Sequence, residues 1–205
     1  MCKKEKHRLV CVTQRTACEG DFFRQMEAIL SMKPARVILR EKDLPLSEYE
    51  ALARRLLPLC QKAGVPLTCN GPVPGWTLPG CGVQLSFANR DLRGTGECGF
   101  GVSVHAPEEA AALIESPAAY LIAGHVFPTD CKKGVPARGL DFLRQVCESA
   151  RQPVYAIGGV TPERVPKVLQ AGAAGYCVMS ALMKTANPVQ LIEKFYHQEE
   201  TAYEL

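Results

Sequence analysis

The sequence predicts a closed barrel of eight parallel strands wrapped by helices, a (β/α)8 TIM barrel in which residues 1–205 form a single domain. Three observations predict it. Eight short β-rich runs follow one another along the chain. Most of the segments between them carry helical periodicity or helix caps, so the strands run parallel with right-handed crossovers. A length of 205 residues suits one compact barrel and supports a full core without disulfide staples.

The first strand covers residues 8–14 (RLVCVTQ). A helix over 21–32 places Phe22, Met26, Ile29 and Leu30 on one face. Residues 36–41 (RVILRE) form the second strand. The helix over 47–63 opens with Ser47 as cap and Glu50 completing a capping box, and Gly64 and Pro66 end it. A third strand spans 67–70. Pro72, Pro74 and Pro79 then leave room only for an irregular link, so the third helix is degenerate. The fourth strand (82–87) is followed by another short link, which makes the fourth helix degenerate too. The fifth strand (99–105) leads into a helix opened by Pro107. The sixth strand (120–127) precedes a charged loop over 128–139 and a helix over 140–150. The seventh (153–157) precedes a helix started by Thr161 and Pro162. The eighth (175–180) precedes a final helix capped by Asn187-Pro188. An open doubly wound sheet is the runner-up, but no G-x-G-x-x-G follows the first strand, which disfavours a dinucleotide cofactor.

Composition narrows function. A net charge of +3 with 22% charged residues gives no nucleic-acid stripe. No apolar run approaches a membrane span. The basic start is followed by only four apolar residues, Leu9 to Val12, too few for a secretory core, so the chain reads as cytoplasmic. None of the ten cysteines is spaced C-x-x-C. They read as reduced thiols, several of them packed as small hydrophobes.

In such a barrel the chemistry lies at the C-terminal ends of the strands. Arg40 and Lys42 follow the second strand, Asn70 the third, and Thr129, Lys132 and Lys133 the sixth. Ser103 and His105 end the fifth. His105 is the acid–base candidate, since an imidazole titrates near neutral pH. His125, between Gly124 and Val126, reads as a satisfied core histidine inside the sixth strand. Gly158 and Gly159 end the seventh strand, and Met179 and Ser180 the eighth. These two loops are where barrels place a phosphate, and the glycines let backbone approach a ligand. On a loop, Gly159→Val is expected to spare the fold. Arginines and lysines on the same face favour a small anionic substrate. No carboxylate pair stands ready for a metal.

Leu39-Arg40-Glu41-Lys42, Asn70, Ser103-Val104-His105, the segment Gly124 to Thr129, Ala156-Ile157-Gly158-Gly159 and Val178-Met179-Ser180 together resemble the thiamine-phosphate synthase superfamily, in order, from about residue 8 to 195. The resemblance implies the same barrel. One branch joins a pyrimidine pyrophosphate to a thiazole phosphate with magnesium. The other, thiazole tautomerase, isomerises a carboxylated thiazole phosphate to its aromatic form. The synthase pattern carries a magnesium-ligand Asp after the third-strand Asn and another after the fourth strand; this chain has Gly71 and Asn89 there. The segment from Gly124 through Cys131-Lys132-Lys133-Gly134 to Leu140 looks like the tautomerase branch. The resemblance therefore implies an isomerase without cofactor or metal. His105 would move the proton, and Gly158, Gly159, Met179 and Ser180 would hold the phosphate. Arg40, Lys42, Asn70, Ser103, Thr129, Lys132 and Lys133 would line the substrate. The implied partner is a small phosphorylated thiazole, not nucleic acid or membrane, and a homo-oligomer stays open. Two alternatives are the synthase and a non-catalytic thiazole-phosphate-binding regulator.

Overall fold

The structure, a computed structural model, describes residues 7–92, 98–129 and 134–202. Eight parallel strands close into a barrel in sequence order. They are β1 (Leu9–Val12), β2 (Arg36–Leu39), β3 (Leu67–Cys69), β4 (Gly82–Ser86), β5 (Phe100–Val104), β6 (Tyr120–Gly124), β7 (Val154–Ile157) and β8 (Gly175–Val178). The ring is closed by β1 on β8, where Cys11 lies opposite Val178.

Alternation along the strands sorts the side chains into two layers. Val10, Val12, Ile38, Ile122 and Cys177 fill the barrel interior. Leu9, Cys11, Val37, Leu39 and Leu121 face outward and pack under the helices. Both layers are buried, which is why the strands read as continuous apolar runs. At the N-terminal end the interior is closed by a cation. Arg36 Nη1 donates to Thr68 Oγ1 at 2.8 Å, and the guanidinium stacks 4.6 Å from the Tyr120 ring centroid.

The helices are α1 (Phe22–Ser31), α2 (Leu46–Ala63), α3 (Pro107–Ala111), α4 (Gly139–Ser149), α5 (Val165–Gln170), α6 (Ser180–Lys184) and α7 (Pro188–Thr201). Asp21 caps α1 by accepting from Arg24 N–H, and Asn187 caps α7 by accepting from Gln190 N–H. The capping box expected at Ser47 does not form. The helix starts one residue earlier, at Leu46 after Pro45, and no side chain caps it. Ser47 therefore sits inside the first turn, and Glu50 pairs instead with Arg54 one turn on. Gly64, at φ +69°, ends α2 as expected. No helix joins β3 to β4, and among the described residues only the 3-10 turn Phe87–Asn89 follows β4. Both degenerate connections are thus present.

Two strand ends differ from expectation in a way that matters for the site. β6 stops at Gly124, so His125 is the first residue of the following loop rather than a strand residue. β8 stops at Val178, and Ser180 opens α6.

All eight described cysteines are free thiols. No helix among the described residues is long and apolar enough to cross a membrane.

Candidate active site

A cavity of about 630 Å³ opens at the C-terminal mouth of the barrel, the face where this architecture carries chemistry. Of the residues expected there, Arg40, Asn70, Ser103, His105, Thr129, Gly158, Gly159, Met179 and Ser180 line it. Lys42 is not on its wall and lies exposed at the surface. Lys132 and Lys133 lie outside the described residues.

A buried carboxylate and a buried phenol set the β2 and β3 corner. Glu41, only 2% exposed, accepts from Thr13 Oγ1 at 2.7 Å and from Arg15 N–H at 2.9 Å. Thr13 Oγ1 in turn accepts from Arg40 N–H at 3.0 Å. Burial raises the Glu41 pKa, against the pull of these hydrogen bonds. The network ties the end of β1 to the segment that carries Arg40. Tyr49 of α2, fully buried, donates to Leu39 O at 2.8 Å and accepts from Asn70 N–H at 3.0 Å. The hydroxyl thus braces the ends of β2 and β3, which Asn70 N–H also joins directly by donating to Leu39 O at 2.9 Å.

On the floor, Gln84 Nε2 donates to Ser103 Oγ at 3.0 Å. Sequence reasoning passed over Gln84 because a glutamine within an apolar strand carries no signal of its own.

Two imidazoles line the cavity. His105 is at the rim, with its side chain 42% exposed and Nδ1 3.7 Å from Glu109 Oε2. The same carboxylate accepts from the His105 backbone N–H at 2.7 Å. His125 is buried, 4% exposed. Its Nε2 lies 3.3 Å from Val135 O. A carbonyl can only accept, so Nε2 carries the hydrogen and Nδ1 the lone pair. Nδ1 is buried without a partner among the described residues. His125 is therefore not the satisfied core histidine that its apolar neighbours suggested. Stopping β6 at Gly124 rather than Phe127 moves it from the strand onto the cavity wall.

The glycines of β7 answer to packing first. Val126 N–H donates to Ile157 O and Phe127 N–H to Gly158 O, so the loop after β6 lies on the end of β7. Gly158 and Gly159 have φ of +100° and +64°. A Cβ on Gly158 would stand 2.9 Å from His125 Cα, and one on Gly159 would stand 2.9 Å from Phe127 Cβ and run into Pro128 O. The close approach that demands glycine is made by the protein's own chain. This overturns the expectation that Gly159→Val spares the fold.

Arg164 was also missed. It follows Thr161 and Pro162 by helix spacing and looks like any solvated arginine, yet it lines the cavity. The described wall thus holds two histidines and two arginines and no Asp or Glu. Among the described residues no three of His, Cys, Asp and Glu gather into a metal-holding group.

The profile described as thiamine monophosphate synthase matches residues 9–182. The chain belongs to this family. It is 37% identical over 149 residues to the thiamine-phosphate synthase of Geobacillus kaustophilus (strain HTA426), covering 69% of this chain and 67% of the relative. It is 34% identical over 190 residues to the putative thiamine-phosphate synthase of Geobacter sulfurreducens (strain ATCC 51573 / DSM 12127 / PCA), covering 88% of each. Thiamine phosphate pyrophosphorylase from Pyrococcus furiosus superposes with a TM-score of 0.80 at 25% identity, covering 96% of this chain and 97% of that one.

The magnesium ion that the synthase branch implies does not suit the residues present. Gly71 and Asn89 supply no carboxylate. A Cβ on Gly71 would lie 2.7 Å from Tyr49 Cε1, so the packing also leaves no space for one. Hard cations need several anionic or carbonyl oxygens, and the described wall offers none from carboxylates.

Proposed function

We propose that the protein is a thiazole tautomerase that isomerises a carboxylated thiazole phosphate to its aromatic tautomer by histidine-mediated proton transfer, without a metal. One observation carries this reading: the described cavity wall presents two imidazoles and two guanidiniums but no carboxylate. Such a wall suits proton transfer on an anionic ligand and is poorly suited to holding a metal–pyrophosphate pair.

The geometry favours His125 for the proton. Its Nδ1 is unpartnered and buried, so the ring turns Nδ1 to the cavity in the proposed complex, and the contact of Nε2 with Val135 O favours the tautomer that leaves Nδ1 its lone pair. In the proposed step Nδ1 lifts the hydrogen from the ring carbon that bears the carboxylate. The electron pair moves through the ring to the exocyclic carbon, which takes the proton back from the imidazolium. Aromatisation drives the step, and the base contributes about 10²–10⁴-fold. His105 is the second candidate. Its position on the rim beside Glu109 suits a group that relays protons to solvent or orients the ligand.

Incubation of the pure protein with the non-aromatic carboxythiazole phosphate in excess EDTA tests the proposal. Growth of the aromatic absorbance is expected. No growth, with thiamine phosphate formed from the pyrimidine pyrophosphate and thiazole phosphate once magnesium is added, would overturn it in favour of the synthase. Two observations favour that second reading: the relatives above are named synthases, and Arg40 lines the cavity from the segment that, by the resemblance, binds the pyrimidine pyrophosphate in synthases.

A further inference from the structure

Arg164 has no place in the mechanism above. Its half-buried side chain lines the cavity with Gly158, Gly159, Thr161 and Ser180. Nη1 donates to Gly159 O at 2.5 Å, and the guanidinium lies 4.7 Å from the Phe127 ring centroid. It is thus held between the loops that follow β6 and β7. Both partners are uncharged. No described carboxylate lies within ion-pair distance of it; the neighbouring Glu163 is exposed and tied first to the Thr161 side chain, with Arg164 the least of the charges acting on it. A guanidinium has five N–H donors, and the carbonyl engages only part of that fork. A fixed cation on a cavity wall with no ion-pair contact is a place for an anion.

Its position in the ring gives the anion a direction. β7 and β2 are three steps apart in a ring of eight, so Arg164 and Arg40 stand on nearly opposite walls. No described carboxylate lines the space between them.

We infer that Arg164 is the residue that recognises the phosphomonoester of the ligand, and that with Arg40 across the cavity it selects molecules charged at both ends. This rests on the thiazole carboxylate phosphate reading above and extends it by assigning the charge that selects the phosphate.

Calorimetric titration tests it with the aromatic carboxythiazole phosphate and its dephosphorylated alcohol, on the wild type, Arg164→Gln and Arg164→Lys. In the wild type the phosphate ester binds more tightly than the alcohol. Arg164→Gln is expected to weaken the ester about tenfold and leave the alcohol unchanged. Arg164→Lys, which keeps the charge without the fork, is expected to fall between. Equal losses for both ligands, or no loss for either, would overturn the inference by making Arg164 a loop brace alone. If the Gln variant does not fold, the Lys variant decides by the same comparison. Inorganic phosphate, titrated while the thermal midpoint is read, separates this inference from the thiazole reading. Stabilisation of the wild type that Arg164→Gln abolishes supports it even where neither thiazole binds, a result that overturns the thiazole reading alone. A wild type indifferent to phosphate overturns the inference.

Discussion

The Tyr49 ring occupies the space that any side chain at position 71 would need. A Cβ on Gly71 would meet Cε1 at 2.7 Å and Cζ at 2.9 Å. The phenol cannot easily move aside, because its hydroxyl bridges Leu39 O and Asn70 N–H and its ring is met edge-on by Trp76 at 5.5 Å. Gly71→Asp is therefore expected to lower stability by about 1–3 kcal/mol through overpacking. It is not expected to confer magnesium-dependent activity, alone or with Asn89→Asp. Urea unfolding and a magnesium titration of activity check the two halves. A stable Gly71→Asp protein activated by magnesium would show that the phenol yields and that a metal corner is latent.

Gly159 combines a left-handed backbone with a contact that begins at Cβ. Gly159→Ala should therefore cost nearly as much as Gly159→Val, about 2–4 kcal/mol from strain and overpacking together. Denaturant midpoints of both variants measure this. A mild Ala and a severe Val would place the conflict further out, in the cavity, and return the glycine to a ligand-facing role.

Glu199 on α7 is buried, 7% exposed, where its Oε1 accepts from Tyr176 Oη at 2.6 Å and from Arg8 N–H at 3.1 Å. Burial raises its pKa from the ordinary 4.5, and Glu41 is raised for the same reason. A raised carboxyl binds its proton more tightly in the folded chain than in the unfolded one. Its contribution is full below about 4.5 and is lost as pH rises through the folded value. Glu199→Gln keeps an acceptor for both donors and cannot ionise. Thermal midpoints from pH 4 upward should fall less steeply in Glu199→Gln than in the wild type. Parallel curves would mean that Glu199 titrates alike in both states.

The barrel was legible because its strands are apolar on both faces and its breaks fall at proline and glycine. Pro72, Pro74 and Pro79 marked the missing helix, and Asn187 marked a real cap. Ser47 misled because Pro45 sets the helix start one residue early. The site was half legible. Strand ends located Arg40, Asn70, Ser103, His105 and the glycine loop, since the architecture fixes which end faces the cavity. His125 was hidden because β6 stops at Gly124, three residues short of the expected end. Gln84 and Arg164 were hidden because only tertiary packing turns a strand glutamine or a helix-turn arginine toward a cavity. The purpose of Gly158 and Gly159 was hidden for the same reason, because the chain they accommodate lies some 30 residues earlier.

Tyr49→Phe removes the hydroxyl that joins β2 to β3. Asn70 N–H still donates to Leu39 O at 2.9 Å, so neither group is orphaned and the loss should be that of a hydrogen bond, about 0.5–1.5 kcal/mol. Turnover should fall modestly as well, because Asn70 loses one of its two backbone anchors. Loss of stability with unchanged kinetics would remove Asn70 from the working site.

The central claim is metal-free proton transfer by a cavity imidazole, and the turnover of His125→Asn and His105→Asn beside the wild type, on the carboxythiazole phosphate tautomer in excess EDTA, tests it most directly. Asn preserves polarity but cannot shuttle a proton. Wild-type conversion is expected to survive chelation, kcat is expected to fall by about 10²-fold or more in folded His125→Asn, and His105→Asn is expected to lose less. Near-wild-type turnover in His125→Asn with loss in His105→Asn would give the proton to the rim histidine. No conversion by the wild type would contradict the account as a whole.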